Sequence, residues 1–172
     1  MHAKGLELPN HKHPDVNPLT RALAVRLADF DRLVEVGVGA RTGLAGALAD
    51  TGAAVTATDI RSRSVPDGVA FVCDDVTDPA LETYTDADAI YARNLPPELH
   101  RPARDLARKV DAAFLFTTLG GEFPTVPTAT ETLPGGTLFR ATDRGSVGSG
   151  RGGDTRAPDR RVTHGDAGRR GG

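Results

Sequence analysis

The sequence predicts a three-layer α/β domain built on a mostly parallel sheet. Short apolar runs typical of buried strands alternate with stretches whose apolar residues recur at helical spacing. Because parallel strands are joined by crossover helices, this alternation places helices on both faces of one sheet. A turn with glycines at positions 37, 39 and 43 follows the first strand and leads into a helix. The 172 residues suffice for one such domain with a sizeable core.

The predicted elements follow one another in a regular order. Asn17 is expected to cap a first helix that has Pro18 at its first position. Strands are then predicted at about 32–36, 54–58, 69–73, 87–91 and 112–117, and helices at about 42–51 and 96–110. Residues 61–68 are too few for a crossover helix, and residues 79–84 are expected to form only a helical turn.

The C-terminal part of the domain departs from this alternation. Residues 128–133 and 137–141 flank a Pro-Gly-Gly turn and are predicted to form an antiparallel hairpin that closes the sheet. Pro102 lies inside the preceding helical pattern, so we expect the main helix to start or kink there.

The two ends of the chain differ from this body in composition. Residues 1–16 hold two prolines and three histidines and are predicted to form a flexible arm. Residues 144–172 are mostly Gly, Arg, Asp and Ser, and cannot bury enough apolar surface to offset their ordering entropy. We therefore predict a domain at 17–143 and a disordered Gly/Arg-rich tail at 144–172.

Charge also separates the tail from the body. The tail holds seven Arg and three Asp, a net charge of +4, whereas residues 1–143 carry −6. Such a tail can contact nucleic acid through its charge. The alternative, a solvated extension, is favoured because no aromatic residue is interleaved with the arginines.

Composition also bears on compartment and metal binding. The single Cys73 excludes an internal disulfide and fits a reducing cytoplasm. No run approaches the roughly 18 apolar residues of a membrane span, so no membrane association is expected. His11 and His13 lack a Cys pair or a second His cluster that would complete a metal site, so no metal is expected. His100 and the arm histidines are the only candidates for a catalytic base.

Polar residues follow the carboxyl ends of the predicted strands, where open α/β sheets bind ligands. Gly37 and Gly39 follow the first strand, Asp59 the second and Asp75 the third. At its distance from Gly39, Asp59 could accept hydrogen bonds from ribose hydroxyls. Asp75 could accept from an adenine amino group or from its own loop. Both acids could instead serve only as loop or helix caps.

The acidic residue before the glycine turn indicates which cofactor the turn is expected to bind. Dinucleotide turns usually read G-x-G-x-x-G, whereas this turn has one more residue before its third glycine. Glu35 directly precedes the turn, and an acid there suits the cationic sulfonium and amino group of S-adenosylmethionine. We therefore expect S-adenosylmethionine rather than NAD. Its predicted binding residues are Glu35, Gly37, Gly39, Asp59 and Asp75.

Residues after the fourth and fifth strands are candidates for the substrate side. These are Arg93, Asn94 and Glu122. The segment around Arg93 is similar to the Asn-Pro-Pro-aromatic motif of amino-group methyltransferases, but Leu95 is inserted and Glu98 replaces the aromatic residue. We interpret it as a loop that shapes the pocket, and the sequence identifies no catalytic residue.

Several of these motifs occur together in a known family. The matching segments are Val34–Gly39, Thr58–Ile60, Asp74–Pro79, Glu82–Tyr84, Ile90–Tyr91, Pro96–Glu98 and Gly120–Glu122. Through them, residues of about 32–140 resemble uncharacterised protein family 0146, a group of small archaeal proteins. The resemblance implies a Rossmann-like domain akin to class I methyltransferases, but it implies no activity because the family's function is unassigned. The family tends to place Arg immediately before the paired prolines, where this chain has Leu95.

Three hypotheses about function are open at this point. The first is binding of S-adenosylmethionine or a related adenosine compound, with methyl transfer as an extension of it. The second is a cofactor-sensing or protein-interaction module without catalysis, and the third is a small NAD-dependent enzyme. The chain has few residues to spare for an acceptor-binding subdomain, so binding is better supported than a reaction. The methyl acceptor, the oligomeric state and any protein partner are undetermined.

Overall fold

The computed structural model describes residues 16–142, which contain three α-helices and seven strands. The helices are α1 (Pro18–Leu27), α2 (Gly43–Asp50) and α3 (Pro97–Lys109). The strands are β1 (Arg32–Val36), β2 (Ala54–Asp59), β3 (Val69–Cys73), β4 (Ala89–Ala92), β5 (Ala113–Phe116), β6 (Thr128–Leu133) and β7 (Gly136–Ala141). A single 3-10 turn spans Leu81–Thr83. Every predicted strand and helix within these residues is therefore present, with bounds shifted by a few residues.

All seven strands form one sheet in the order β3-β2-β1-β4-β5-β7-β6. The first five run parallel, and β7 lies antiparallel to both β5 and β6. This confirms the predicted fold class, a mostly parallel sheet with an antiparallel C-terminal hairpin. The chain order reverses between β1 and β4, and such a switch point opens a crevice at the carboxyl ends of the strands.

Two apolar clusters hold helices against opposite faces of the sheet. On one face, leucines of α1 and α2 pack on alternate residues of β1, β4 and β5, among them Leu33 and Tyr91. On the other face, α3 packs through Ala103, Leu106 and Ala107 on the intervening strand residues. Because both faces are covered, β4 and β5 are apolar along their whole length rather than alternating.

Helix α3 begins at Pro97, five residues before Pro102. The expectation that the main helix starts at Pro102 is therefore wrong, and the alternative expectation, a kink at Pro102, stays a prediction. Proline at the first helical position costs no hydrogen bond, so Pro97 can start the helix. The missing N–H of Pro102 removes one interior bond, and burial of Ala103, Leu106 and Ala107 offsets that loss.

The connections that the sequence predicted to lack helices do lack them. No helix or strand occurs in the structure between Asp59 and Val69, and residues 117–127 join β5 to β6 in the same irregular way. None of the helices within residues 16–142 is long and apolar enough to cross a bilayer. Apart from residue 16, the predicted arm and tail lie outside the described residues, so the domain boundaries stay predictions.

Candidate cofactor site

The glycine turn is joined to the end of β2 by two hydrogen bonds. Gly37 and Gly39 have φ values of +69° and +60°, a left-handed conformation that favours glycine. Between them, the Val38 N–H donates to the Thr58 carbonyl at 2.9 Å. The Gly39 N–H donates to Asp59 Oδ2, also at 2.9 Å. The turn is therefore held against the strand end that carries the predicted ribose ligand.

The Asp59 carboxylate is almost fully buried and fixed from several sides. Its Oδ1 accepts from the Arg61 N–H at 2.9 Å, and the Arg63 Nε lies 3.5 Å from Oδ2. Burial alone would raise its pKa, but the backbone hydrogen bonds from Arg61 and Gly39 and the charge of Arg63 together hold the pKa below its ordinary value. The loop-capping role left open by the sequence is thus present. A carboxylate oxygen with one donor can still accept another.

A cavity of about 370 Å³ opens at the carboxyl ends of β1, β2 and β3. We call it the glycine-turn cavity. Its lining residues are Val36, Gly37, Asp59, Ile60, Arg61, Arg63, Asp74, Asp75, Val76 and Leu99. Three of the predicted cofactor residues, Gly37, Asp59 and Asp75, therefore line the same cavity. Gly39 contributes through its bond to Asp59.

Asp74 and Asp75 bond to their own loop as well as lining the cavity. Asp75 Oδ1 accepts from both the N–H and the hydroxyl of Thr77, at 2.9 and 2.7 Å. These two bonds, the hydroxyl's first, hold the pKa of Asp75 below its ordinary value. Asp74 accepts from the Ala80 N–H and from the Tyr84 hydroxyl. The loop-bonding alternative for this acidic pair is thus part of the structure.

Glu35 lies beneath the glycine turn and is fully buried. Its Oε2 accepts from the Tyr91 hydroxyl at 2.8 Å, and its Oε1 lies 3.6 Å from the Arg93 Nε. Burial, together with the adjacent Glu35 charge, raises the pKa of Tyr91 well above its ordinary value. The Arg93 guanidinium also donates to the Arg41 carbonyl in the turn. Glu35 thus belongs to a buried polar network that supports the turn and does not line the cavity.

The three residues predicted for the substrate side separate into two groups. Arg93 is mostly buried against Glu35. Asn94 and Glu122 instead line a second, larger cavity of about 790 Å³, next to the β6–β7 hairpin. Asn94 has a φ of +50°, and its N–H donates to the Thr117 hydroxyl at 3.0 Å. This bond joins the loop after β4 to the end of β5.

His100, a candidate base from the sequence, has a structural role here. It is fully buried, and its Nδ1 accepts from the Thr125 N–H at 3.1 Å. Nε2 therefore carries the proton and donates to the Leu95 carbonyl at 2.9 Å. With both ring nitrogens bonded to backbone, His100 has no free position for a substrate proton. It ties α3 to the loops on either side.

Four apolar residues line the glycine-turn cavity, and the sequence predicted none of them as site residues: Val36, Ile60, Val76 and Leu99. Ile60 is 67% exposed at the cavity, and Leu99 reaches it from α3. An aliphatic residue directly after the strand-end acid was the available signal for Ile60. Leu99 carried no signal of its own, because its spacing is that of a core position. Within residues 16–142, no group of three or more potential metal ligands comes together.

Solved structures that superpose on this chain include methyltransferases. An RNA methyltransferase from Salinibacter ruber, in complex with S-adenosyl-L-homocysteine, superposes with a TM-score of 0.55 at 20% identity, over 75% of this chain and 92% of that one. Magnesium protoporphyrin IX methyltransferase from Synechocystis, with bound SAM, gives 0.51 at 13% identity, over 72% and 78% of the two chains. At such identities the likeness concerns the fold, which is Rossmann-like.

Sequence relatives are closer and come from archaea. A protein of Halobacterium salinarum is 52% identical over 122 residues, which are 70% of this chain and 95% of that protein. One from Archaeoglobus fulgidus is 42% identical over 92 residues, covering 54% and 71%. Both are UPF0146 proteins. The model of that family matches residues 18–144 of the chain. The chain therefore belongs to the Uncharacterised protein family (UPF0146).

Proposed function

We propose that the protein binds S-adenosylmethionine, or a related adenosine compound, in the glycine-turn cavity. The observation that carries the proposal is that Gly37, Asp59 and Asp75 line one cavity. These residues come from three adjacent strand ends, next to the point where the strand order reverses. Open α/β sheets bind nucleotide-type cofactors at this place.

Each part of the cofactor has a matching part of the cavity. Asp59, held in place by Gly39 and Arg61, would accept from the ribose hydroxyls. Ile60 and Leu99 would supply apolar surface for the adenine, and Asp75 would accept a hydrogen bond from its amino group. At about 370 Å³, the cavity lies at the lower end of the 300–1,000 Å³ that is typical of small-molecule sites.

The amino acid portion of the cofactor would extend along the glycine turn. Glu35 lies beneath this turn, within a network that includes Tyr91 and Arg93. We propose that Glu35 acts mainly by holding the turn in its ligand-binding shape. Its negative charge would also favour the sulfonium and amino group in a site of low dielectric.

A specific observation favours the alternative cofactor, NAD. Arg61 and Arg63 line the glycine-turn cavity beside Asp59, and guanidinium groups suit phosphates. We nevertheless favour S-adenosylmethionine, because the cavity also presents Asp59, Asp74 and Asp75. Solved methyltransferases of the same fold hold S-adenosylhomocysteine or SAM, which supports this preference.

Methyl transfer is a further step that the proposal does not require. The alternative is a cofactor-sensing module, and the observation in its favour is that His100 has both ring nitrogens bonded. His100 is also the only histidine of residues 16–142. We also propose a cytoplasmic location, because a chain with the single Cys73 forms no internal disulfide and fits a reducing compartment.

Calorimetric titration with S-adenosylmethionine, S-adenosylhomocysteine and NAD tests the proposal. We expect heat with the first two, and a dissociation constant weakened about tenfold or more by Asp59→Ala, since a lost bond to a charged group costs about 1.5–3 kcal/mol. Asp86→Ala, an exposed acid outside the cavity, is the matched control and should bind as the wild type does. Heat with NAD alone would favour NAD as the cofactor. If none of the three ligands binds, both cofactor proposals are overturned.

A further inference from the structure

The larger of the two cavities lies away from the proposed cofactor contacts. We call it the hairpin cavity; it has a volume of about 790 Å³ and lies between residues 117–126 and the β6–β7 hairpin. Its walls come from the end of β5, the loop that follows it, β6 and β7. This volume is within the range of small-molecule sites. Asn94, at the end of β4, also reaches it, on the side of the central strands.

Charge in the hairpin cavity has one sign. Of the residues within 16–142 that line it, Glu122 is the only ionisable one. Its backbone is held, because its carbonyl accepts from the Thr118 hydroxyl at 2.9 Å and its N–H donates to the Leu119 carbonyl. Its carboxylate has neither a hydrogen bond nor an ion pair within this part of the chain. A carboxylate without such partners attracts a cation and repels an anion.

The remaining lining is apolar and hydroxylic. Phe123 is 85% exposed, and Phe139 and Val126 continue the apolar surface. Threonines at 128, 130 and 137 line the same cavity. Two Gly-Gly pairs, at 120–121 and 135–136, leave backbone without side chains at the cavity. Aromatic faces and hydroxyls suit a compact ligand with a planar apolar body.

We infer that the hairpin cavity is a binding site for a small organic amine, an ammonium group attached to an apolar or aromatic body. Glu122 would pair with the ammonium, while Phe123 and Phe139 would pack on the body. A phosphate-rich ligand such as RNA does not fit, because phosphate contacts need Lys or Arg and the described lining has neither. This inference goes beyond the proposed cofactor and does not depend on it.

Three ligands of similar size and different charge test the inference: phenethylamine, phenethyl alcohol and hydrocinnamate. Each is titrated into the full chain and followed by NMR of the backbone amides. We expect phenethylamine to bind more tightly than the alcohol and hydrocinnamate to bind least. Shifts should concentrate on the amides of Gly120, Gly121, Glu122 and Gly136.

Substitution of Glu122 separates recognition of the ligand's charge from non-specific apolar binding. Glu122→Gln should weaken phenethylamine about fivefold, as expected for a partly exposed ion pair, and leave the alcohol unchanged. Glu82→Gln makes the same change at an exposed residue outside both cavities and should leave all three affinities as they are.

Equal binding of the amine and hydrocinnamate, shifts away from the cavity, or no saturable shift at millimolar concentrations would each overturn the inference. An unchanged amide spectrum of the free Glu122→Gln variant shows that it is folded. The titrations contain no S-adenosylmethionine, so their failure and failure of cofactor binding are distinguished.

Discussion

The Asp59 carboxylate connects the glycine turn to the loop after β2. It accepts from Gly39 on one side and from Arg61 on the other, with Arg63 beside it. The same carboxylate thus maintains the local fold and lines the proposed cofactor site. Its removal should therefore affect stability as well as binding.

We predict that Asp59→Asn lowers the free energy of unfolding at neutral pH and that the deficit shrinks in acid. The folded-state pKa of Asp59 lies below its ordinary value of 3.8. Its ionised form therefore contributes stability that is fully present above pH 3.8 and is lost as pH falls through the folded-state pKa. Urea unfolding of both proteins from neutral pH to pH 3 measures the difference. Asp86→Asn should show no deficit, and a deficit for Asp59→Asn that widens in acid would contradict the assignment.

The two tyrosines of the chain provide a matched pair of buried hydroxyls. Each donates to a carboxylate, Tyr91 to Glu35 and Tyr84 to Asp74. Glu35 is fully buried, whereas Asp74 is partly exposed. After Tyr91→Phe the Glu35 oxygen cannot recover its lost bond from water, whereas after Tyr84→Phe the Asp74 oxygen can. The cost should be about 1–3 kcal/mol for Tyr91→Phe and smaller for Tyr84→Phe. Chemical denaturation measures both, and the reverse ranking would contradict a closed network beneath the turn.

At the scale of elements, the local signals predicted helices and strands well. Asn17 caps α1 as expected, with its side chain accepting from the Thr20 N–H at 2.9 Å. The Pro-Gly-Gly segment does turn the β6–β7 hairpin. The predicted helix at about 96–110 matches α3, whereas the start expected at Pro102 does not occur, because packing of the helix compensates for this proline. The packing of α3 depends on residues distant in sequence.

The two prolines of α3 should differ in their energetic cost. Pro102→Ala restores an interior hydrogen bond, and we expect a gain of about 1–3 kcal/mol in the free energy of unfolding, because proline in a helix interior costs about 3 kcal/mol relative to alanine. Pro97→Ala, at the first helical position, should give no gain, because that N–H has no helical partner. Thermal and urea unfolding of both variants tests this. A loss of stability in Pro102→Ala would mean that the proline ring itself is needed for packing.

At the scale of the whole molecule, the rule that ligands bind at the carboxyl ends of the strands predicted that these residues lie at one edge of the sheet, but it could not divide them between cavities. Asp59 and Asp75 share the glycine-turn cavity, whereas Asn94 and Glu122 line the other. Arg93 turns beneath the glycine turn towards Glu35. This division depends on the strand order and on side-chain direction, which are set by contacts between distant segments. Periodicity along the chain does not encode them.

Removal of the basic tail tests the predicted division of the whole chain into a domain and a tail. The last strand ends at Ala141, and the Thr142 N–H still donates to the Pro127 carbonyl at 3.0 Å. We predict that removing residues 144–172 leaves the unfolding midpoint unchanged, although the net charge falls from −2 to −6. A stabilising contact of 1 kcal/mol would shift the midpoint by about 2–8 °C in a domain of this size, which circular dichroism resolves.

RNA binding by the full and shortened chains decides between the two readings of the tail. If the tail is a solvated extension, neither chain should bind a short single-stranded RNA at moderate salt, as measured by fluorescence anisotropy. Binding by the full chain alone, with an affinity that falls steeply as salt rises, would instead assign the tail to nucleic acid, because release of counterions from phosphate produces that dependence. Equal binding by both chains would place the RNA contact on the domain. It would also place that contact outside the hairpin cavity, because the described residues that line this cavity are uncharged or acidic.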